Sequence, residues 1–123
     1  MSVMRWVALF AAFVLAQPVL TPGAQQKDED TVTIYGLGTA PCRTWTEARE
    51  SARTSQTDSR QAQFESWIYG YASAYSIFGR GSHDVLRTDT AGFRTFLDGY
   101  CRDNPSDIFQ TAVTELIKDQ LKR

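Results

Sequence analysis

Histidine, cysteine and asparagine are scarce in this chain. His83 is the single histidine and Cys42 and Cys101 are the only cysteines among 123 residues. A metal centre needs three or four converging ligands, and His83 has only Asp84 and Asp89 close by in sequence, so no metal site and no cofactor are expected. Ser82, His83 and Asp84 are the residue types of a hydrolase triad. They are consecutive, however, whereas triad members converge from separated backbone positions, and no catalytic residue is assigned. Glu65 and Asp98 could be imagined as paired carboxylates, but both fall on polar helix faces where acids are ordinarily solvated. Gly36 and Gly38 lack a further glycine three positions on, which removes a dinucleotide fingerprint. The lone asparagine, Asn104, precedes Pro105 and so is no N-glycosylation acceptor.

An excess of charge of one sign is also missing. The chain has 13 basic and 14 acidic residues, a balance that argues against nucleic-acid binding, which draws on a basic surface. It likewise offers no polybasic patch for anionic lipid. Long hydrophobic runs are absent too. The longest runs from Trp6 to Ala16 behind Arg5, and Gln17, Pro18, Thr21 and Pro22 interrupt it short of the roughly 20 residues a membrane span needs. Charge, short apolar core and small residues in that order read as a secretory signal peptide over residues 1–24, cleaved after Ala16 or Ala24. The expectation is a periplasmic or secreted protein with no membrane contact after cleavage. Its parts are a flexible or extended segment at 25–41 and a helical domain at 42–123. In an exported chain the two cysteines read as one Cys42–Cys101 disulfide.

What is abundant is helical periodicity. Thr31 to Tyr35 alternates, suggesting a short extended piece with Val32 and Ile34 turned inward, before a turn over Gly36 to Pro41. Thr44 and Glu47 form a capping-box pattern that starts a helix running to about Thr54. Its stripe of Trp45, Ala48 and Ala52 is thin, which predicts a place at the edge of the core. Ser55 to Arg60 reads as a polar connection. Gln61 to Phe78 is the main core-forming helix, with Phe64, Trp67, Ile68, Tyr71, Tyr75 and Phe78 at steps of three and four. Gly70 inside it predicts a close helix crossing, and Gly79 to Ser82 a left-handed cap. Val85 and Leu86 are expected to plug the core. Thr88, Asp89 and Thr90 offer caps for a third helix reaching about Asp103, with Phe93, Phe96, Leu97, Tyr100 and Cys101 inward. Pro105 suits the first turn of a last helix that carries Ile108, Phe109, Ala112, Val113, Leu116, Ile117 and Leu121. The fold class is all-α, a small four-helix bundle stapled by one disulfide. Trp67, Tyr69, Gly70, Tyr71 and Tyr75 are the candidate partner-binding residues, for a protein partner or a homodimer.

Three segments carry a resemblance: Cys42 to Ala48, WIYGY at 67–71 and YCRDNP at 100–105. With the export signal and final amphipathic helix, this layout resembles the HdeA/HdeB-like group of small periplasmic helical proteins over Cys42 to Leu121. That resemblance implies a non-enzymatic acid-stress chaperone that binds unfolded proteins at low pH. The layout is also similar to the Tai family of periplasmic immunity proteins, implying neutralisation of a type VI secretion amidase effector. An envelope binding module for another partner is the third alternative.

Overall fold

The computed structural model describes residues 32–55, 58–79 and 84–123. The expected signal peptide at 1–24, the polar stretch after it, Thr31, Ser82 and His83 lie outside the described residues. Among the described residues four α-helices follow one another: α1 (Cys42–Ser55), α2 (Ser59–Phe78), α3 (Thr90–Asp103) and α4 (Phe109–Leu121). The all-α bundle with one disulfide is therefore what the chain forms.

The start of α1 shows how distant sequence sets a local boundary. The Thr44 cap predicts a later start, yet the helix begins at Cys42. The first backbone N–H groups of a helix have no partner within it, and here the turn between α3 and α4 supplies partners. Cys42 N–H donates to Asp107 O at 2.7 Å and Arg43 N–H to Pro105 O at 3.0 Å. Phe109 N–H returns a bond to Ala40 O at 2.8 Å beside the antiparallel bridge of Pro41 and Ile108. The Cys42–Cys101 disulfide closes the same junction. Pro105 consequently belongs to this turn, and α4 begins at Phe109, four residues beyond the proline. Asn104 holds the turn by donating its side-chain N–H to Tyr100 O at 3.0 Å.

Trp45 overturns the expected peripheral place of α1. It is fully buried, stacked on Phe109 at 5.5 Å and edge-on to Phe64 at 5.8 Å, while Phe64 meets Phe109 at 4.7 Å. A thin stripe is enough because one indole fills the space that several aliphatic side chains would, and α1 packs against α2, α3 and α4 at once. Ile68, Phe93, Leu97, Val113, Leu116 and Ile117 complete the centre of the core, with Val85 plugging it as expected and Leu86 packed at its margin.

Before α1, Val32–Tyr35 is extended but pairs with no strand among the described residues, and Val32 is 77% exposed, not turned inward. Ile34 alone is half-buried. A tight 3₁₀ turn over Gly36–Thr39 follows. Gly36 takes φ +67°, a conformation that costs glycine nothing. Gly38 lies so close to the Trp67 ring that a Cβ there would collide with it. Gly79, expected in a left-handed cap, instead has φ −70° and closes α2 by donating its N–H to Tyr75 O at 2.8 Å. At the next helix Asp89 acts as the expected cap, its carboxylate accepting from Gly92 N–H at 2.8 Å.

Candidate functional site

Helix α2 differs from its neighbours in how its side chains are distributed. In α1, α3 and α4 apolar residues concentrate on one side, whereas in α2 they are spread around the circumference. A helix that is hydrophobic all round is ordinarily buried all round. The inner side of α2 does satisfy that rule, with Phe64, Ile68 and Ala72 buried. On one flank Trp67, Tyr71 and Tyr75 form a half-buried ladder, with ring centroids 5.1 and 6.5 Å apart. Trp67 donates its indole N–H to Tyr35 O at 2.9 Å. The Tyr71 hydroxyl pairs with Thr114 Oγ1 at 3.0 Å and accepts from Gln110 Nε2 at 2.9 Å. On the opposite flank Tyr69 stands edge-on to Phe93 at 5.7 Å, its hydroxyl 2.9 Å from Thr90 Oγ1.

The five residues singled out in the sequence therefore do not converge. The Trp67 ladder and Tyr69 are tied into this chain on opposite flanks, and Gly70 sits between them on the outer side. No described atom beyond the helix's own turns lies within 4 Å of where a Gly70 Cβ would stand. The expected close helix crossing is therefore not supplied by any described helix of this chain, the backbone of α2 packing chiefly on α1 and the 3₁₀ turn. The outer side runs through Ala62, Ser66, Gly70 and Ala74, all exposed, to Ile77 and Phe78, which are 70% and 85% exposed. Phe78, expected in the core, is the most exposed large apolar residue among those described. With nothing among the described residues within 4 Å of its Cβ position, Gly70→Ala is expected to raise stability by about 0.5–1 kcal/mol through helix propensity. A higher midpoint in thermal unfolding followed by circular dichroism checks this.

A second cluster escaped the sequence reading. Asp98 accepts from Trp45 Nε1 at 2.9 Å and from Arg49 Nε and Nη2, each at 3.0 Å. Arg49 Nη1 donates to Gln61 Oε1 at 2.9 Å, and Gln61 Nε2 to Glu65 Oε1 at 3.0 Å. Arg94 closes the row by donating to Glu65 Oε1 at 2.6 Å. Glu65 and Asp98 are therefore not solvated acids, their side chains being only 15% and 32% exposed. They are also separated, each held by its own arginine, so they tie α1, α2 and α3 together and do not form a carboxylate pair. The available signal was spacing: Trp45 with Arg49, Gln61 with Glu65, and Arg94 with Asp98 each stand four apart, on one helix face. Arg94 is held above its ordinary range by its bond to Glu65.

At the α3–α4 turn the Tyr100 hydroxyl donates to Asp107 Oδ2 at 2.8 Å. That bond, with burial added, pushes the Tyr100 phenol from its ordinary value near 10 up to about 12. A group whose folded value is raised contributes stability that is intact below the unfolded value and lost as pH climbs through the folded one. The contribution of this bond should therefore hold to about pH 10 and disappear by about pH 12. Phenolate absorbance on alkaline titration checks this, and Tyr100→Phe should flatten the loss of stability in that window.

Between the second half of α2 and the segment entering α3 lies a cleft of about 250 Å³, lined by Tyr69, Ser73, Ser76, Asp84, Val85 and Thr88 among others. Asp84, the described member of the Ser82–His83–Asp84 run, accepts from Leu86 N–H at 3.1 Å, an ordinary turn contact. Among the described residues no three His, Cys, Asp or Glu side chains gather in a way that could hold a metal ion. No helix among them is long and apolar enough to cross a membrane. No family model, curated protein or solved structure matches this chain.

Proposed function

We propose that this chain is a non-enzymatic protein-binding module of the periplasm that shields unfolded proteins at low pH. The observation that carries the reading is the outer side of α2, where Ile77 and Phe78 stand 70% and 85% exposed on a helix whose apolar residues are spread around its circumference. Exposed contiguous apolar surface of this kind favours protein contacts. The buried disulfide supports export to an oxidising compartment.

Acid would enlarge that surface by a physical route. Near pH 3 carboxylates become largely neutral while arginine and lysine keep their charge, so a chain with 14 acids and 13 bases becomes strongly cationic. Self-repulsion among the retained positive charges would then favour loosening of the bundle.

The test is light scattering by an unrelated, acid-denatured protein at about pH 3, with and without this chain. Suppressed scattering is expected, and it should weaken in the Ile77→Asp, Phe78→Asp double variant. Equal scattering with and without the chain would overturn the chaperone reading. Tight binding and inhibition of a cell-wall amidase would replace it with the immunity role.

A further inference from the structure

We infer that the cleft between the segment entering α3 and the end of α4 binds an N-acylated amino acid, through its carboxylate and the amide N–H beside it. That is the chemistry of a peptide's C-terminal residue. The cleft has a volume of about 440 Å³ and is lined by Arg87, Thr88, Phe96, Asp119, Gln120 and Arg123 among others. Such a volume lies within the roughly 300–1,000 Å³ common for small-ligand sites. No lining residue belongs to α2, so the inference stands apart from the protein-binding face described above.

Gln120 is the residue that points to a ligand. It is only 6% exposed, and a buried amide ordinarily has partners for both its oxygen and its nitrogen. The other buried polar side chain among those described, Gln61, has them in Arg49 and Glu65. Gln120 has one, its Nε2 donating to Asp119 Oδ2 at a long 3.3 Å, and no described residue donates to its Oε1. No fully buried side-chain oxygen or nitrogen among the described residues lacks a partner, so Oε1 is not sealed inside the fold. It opens on the cleft that Gln120 lines, where an acceptor held against the protein interior favours a ligand N–H.

The charges select the other end of the ligand. Asp119 gathers Arg123, whose Nη2 stands 3.1 Å from its Oδ2, beside the Gln120 amide. Arg87 is exposed and takes part in no ion pair among the described residues. Two guanidinium groups against one carboxylate leave the cleft positive, and the forked N–H groups of a guanidinium match the two oxygens of a carboxylate. Phe96, half-buried and stacked on Tyr100, offers an apolar wall. A carboxylate at Arg87, an N–H at Gln120 Oε1 and an apolar side chain against Phe96 are demands that one N-acylated amino acid meets together. Inorganic phosphate would meet the first alone.

Titration of the isotope-labelled chain with N-acetylphenylalanine, followed by backbone amide shifts in nuclear magnetic resonance, tests this. Saturable shifts are expected at Gly92, Thr95 and Gln120, which border the cleft, with a dissociation constant on the order of 0.1–1 mM. N-acetylphenylalanine amide lacks the carboxylate and phenylpropionate lacks the amide, and each should bind about tenfold more weakly. Arg87→Gln, at an exposed and unpaired side chain that the fold does not need, should also weaken binding about tenfold. Arg60→Gln, in a different cleft, should change nothing. Gln120→Met keeps the volume and should erase the preference for N-acetylphenylalanine over phenylpropionate, while the preference for carboxylate over amide stays. A tetrapeptide ending in phenylalanine identifies the source. Binding at least as tight as that of the acetylated residue assigns the cleft to peptide C-termini, and weaker binding assigns it to small acylated amino acids. No saturation by either up to about 10 mM, equal binding of N-acetylphenylalanine, its amide and phenylpropionate, or wild-type affinity in Arg87→Gln overturns the inference.

Discussion

Replacing Cys42 and Cys101 together by alanine is expected to lower the unfolding free energy by about 4 kcal/mol, the value loop closure assigns to a link between residues of this separation. The cysteines stand 59 positions apart, so the bond closes most of the helical domain into one loop and removes many open conformations from the unfolded ensemble. Such a loss approaches the whole stability of a domain of this size, roughly 5 kcal/mol at the low end. In a thermal scan it corresponds to a fall of roughly 15 °C or more. The folded state should feel it at one place, the junction where Cys42 and Arg43 donate to the α3–α4 turn, because the same link holds that turn against α1. Both sulfurs are buried, so the native protein should resist reductant until it opens. Denaturant unfolding of the oxidised wild type and the double variant measures the difference. A change below about 1 kcal/mol would mean that hydrogen bonding at the junction, and not the covalent loop, holds the bundle shut.

The helices were legible because their apolar residues recur at helical steps, and the disulfide because two cysteines leave one pairing. The boundaries of α1 and α4 were not. Periodicity reports which face of a helix is covered, while the donors that extend α1 back to Cys42 find their acceptors at Pro105 and Asp107, more than 60 positions away. Trp45 was misplaced for a related reason: counting apolar positions treats an indole as one residue, whereas packing depends on volume. Asp98 and Glu65 read as solvated because an acid on a polar face has no sequence mark that separates water from an arginine of a neighbouring helix. At the candidate site, periodicity put Phe78 on the same stripe as Phe64. Only the arrangement of the helices reveals that α2 outlasts its neighbours, leaving Phe78 in solvent and Gly70 without an intramolecular partner.

Trp45→Ala should be the most damaging single change among the described residues, costing about 3–5 kcal/mol as large aromatic truncations in a packed core do. Three losses combine. The ring is fully buried and shares faces and edges with Phe109 and Phe64, so its removal leaves a cavity walled by two other aromatics. Its indole N–H is one of the donors satisfying Asp98. Its ring also lies 5.7 Å beneath the Arg49 guanidinium, which loses that support. Trp45→Phe separates these effects, because it keeps much of the ring volume and gives up the N–H. The cost should drop to about 1.5–3 kcal/mol, the worth of a hydrogen bond to a charged group with some loss of packing. If the alanine variant instead cost under about 2 kcal/mol, the aromatic centre would be collapsing to fill the gap. A cost for Trp45→Phe as large as for Trp45→Ala would shift the weight from packing to the Asp98 bond. That outcome would make the charged row joining α1, α2 and α3, and not the aromatic core, the element that fixes how the helices meet.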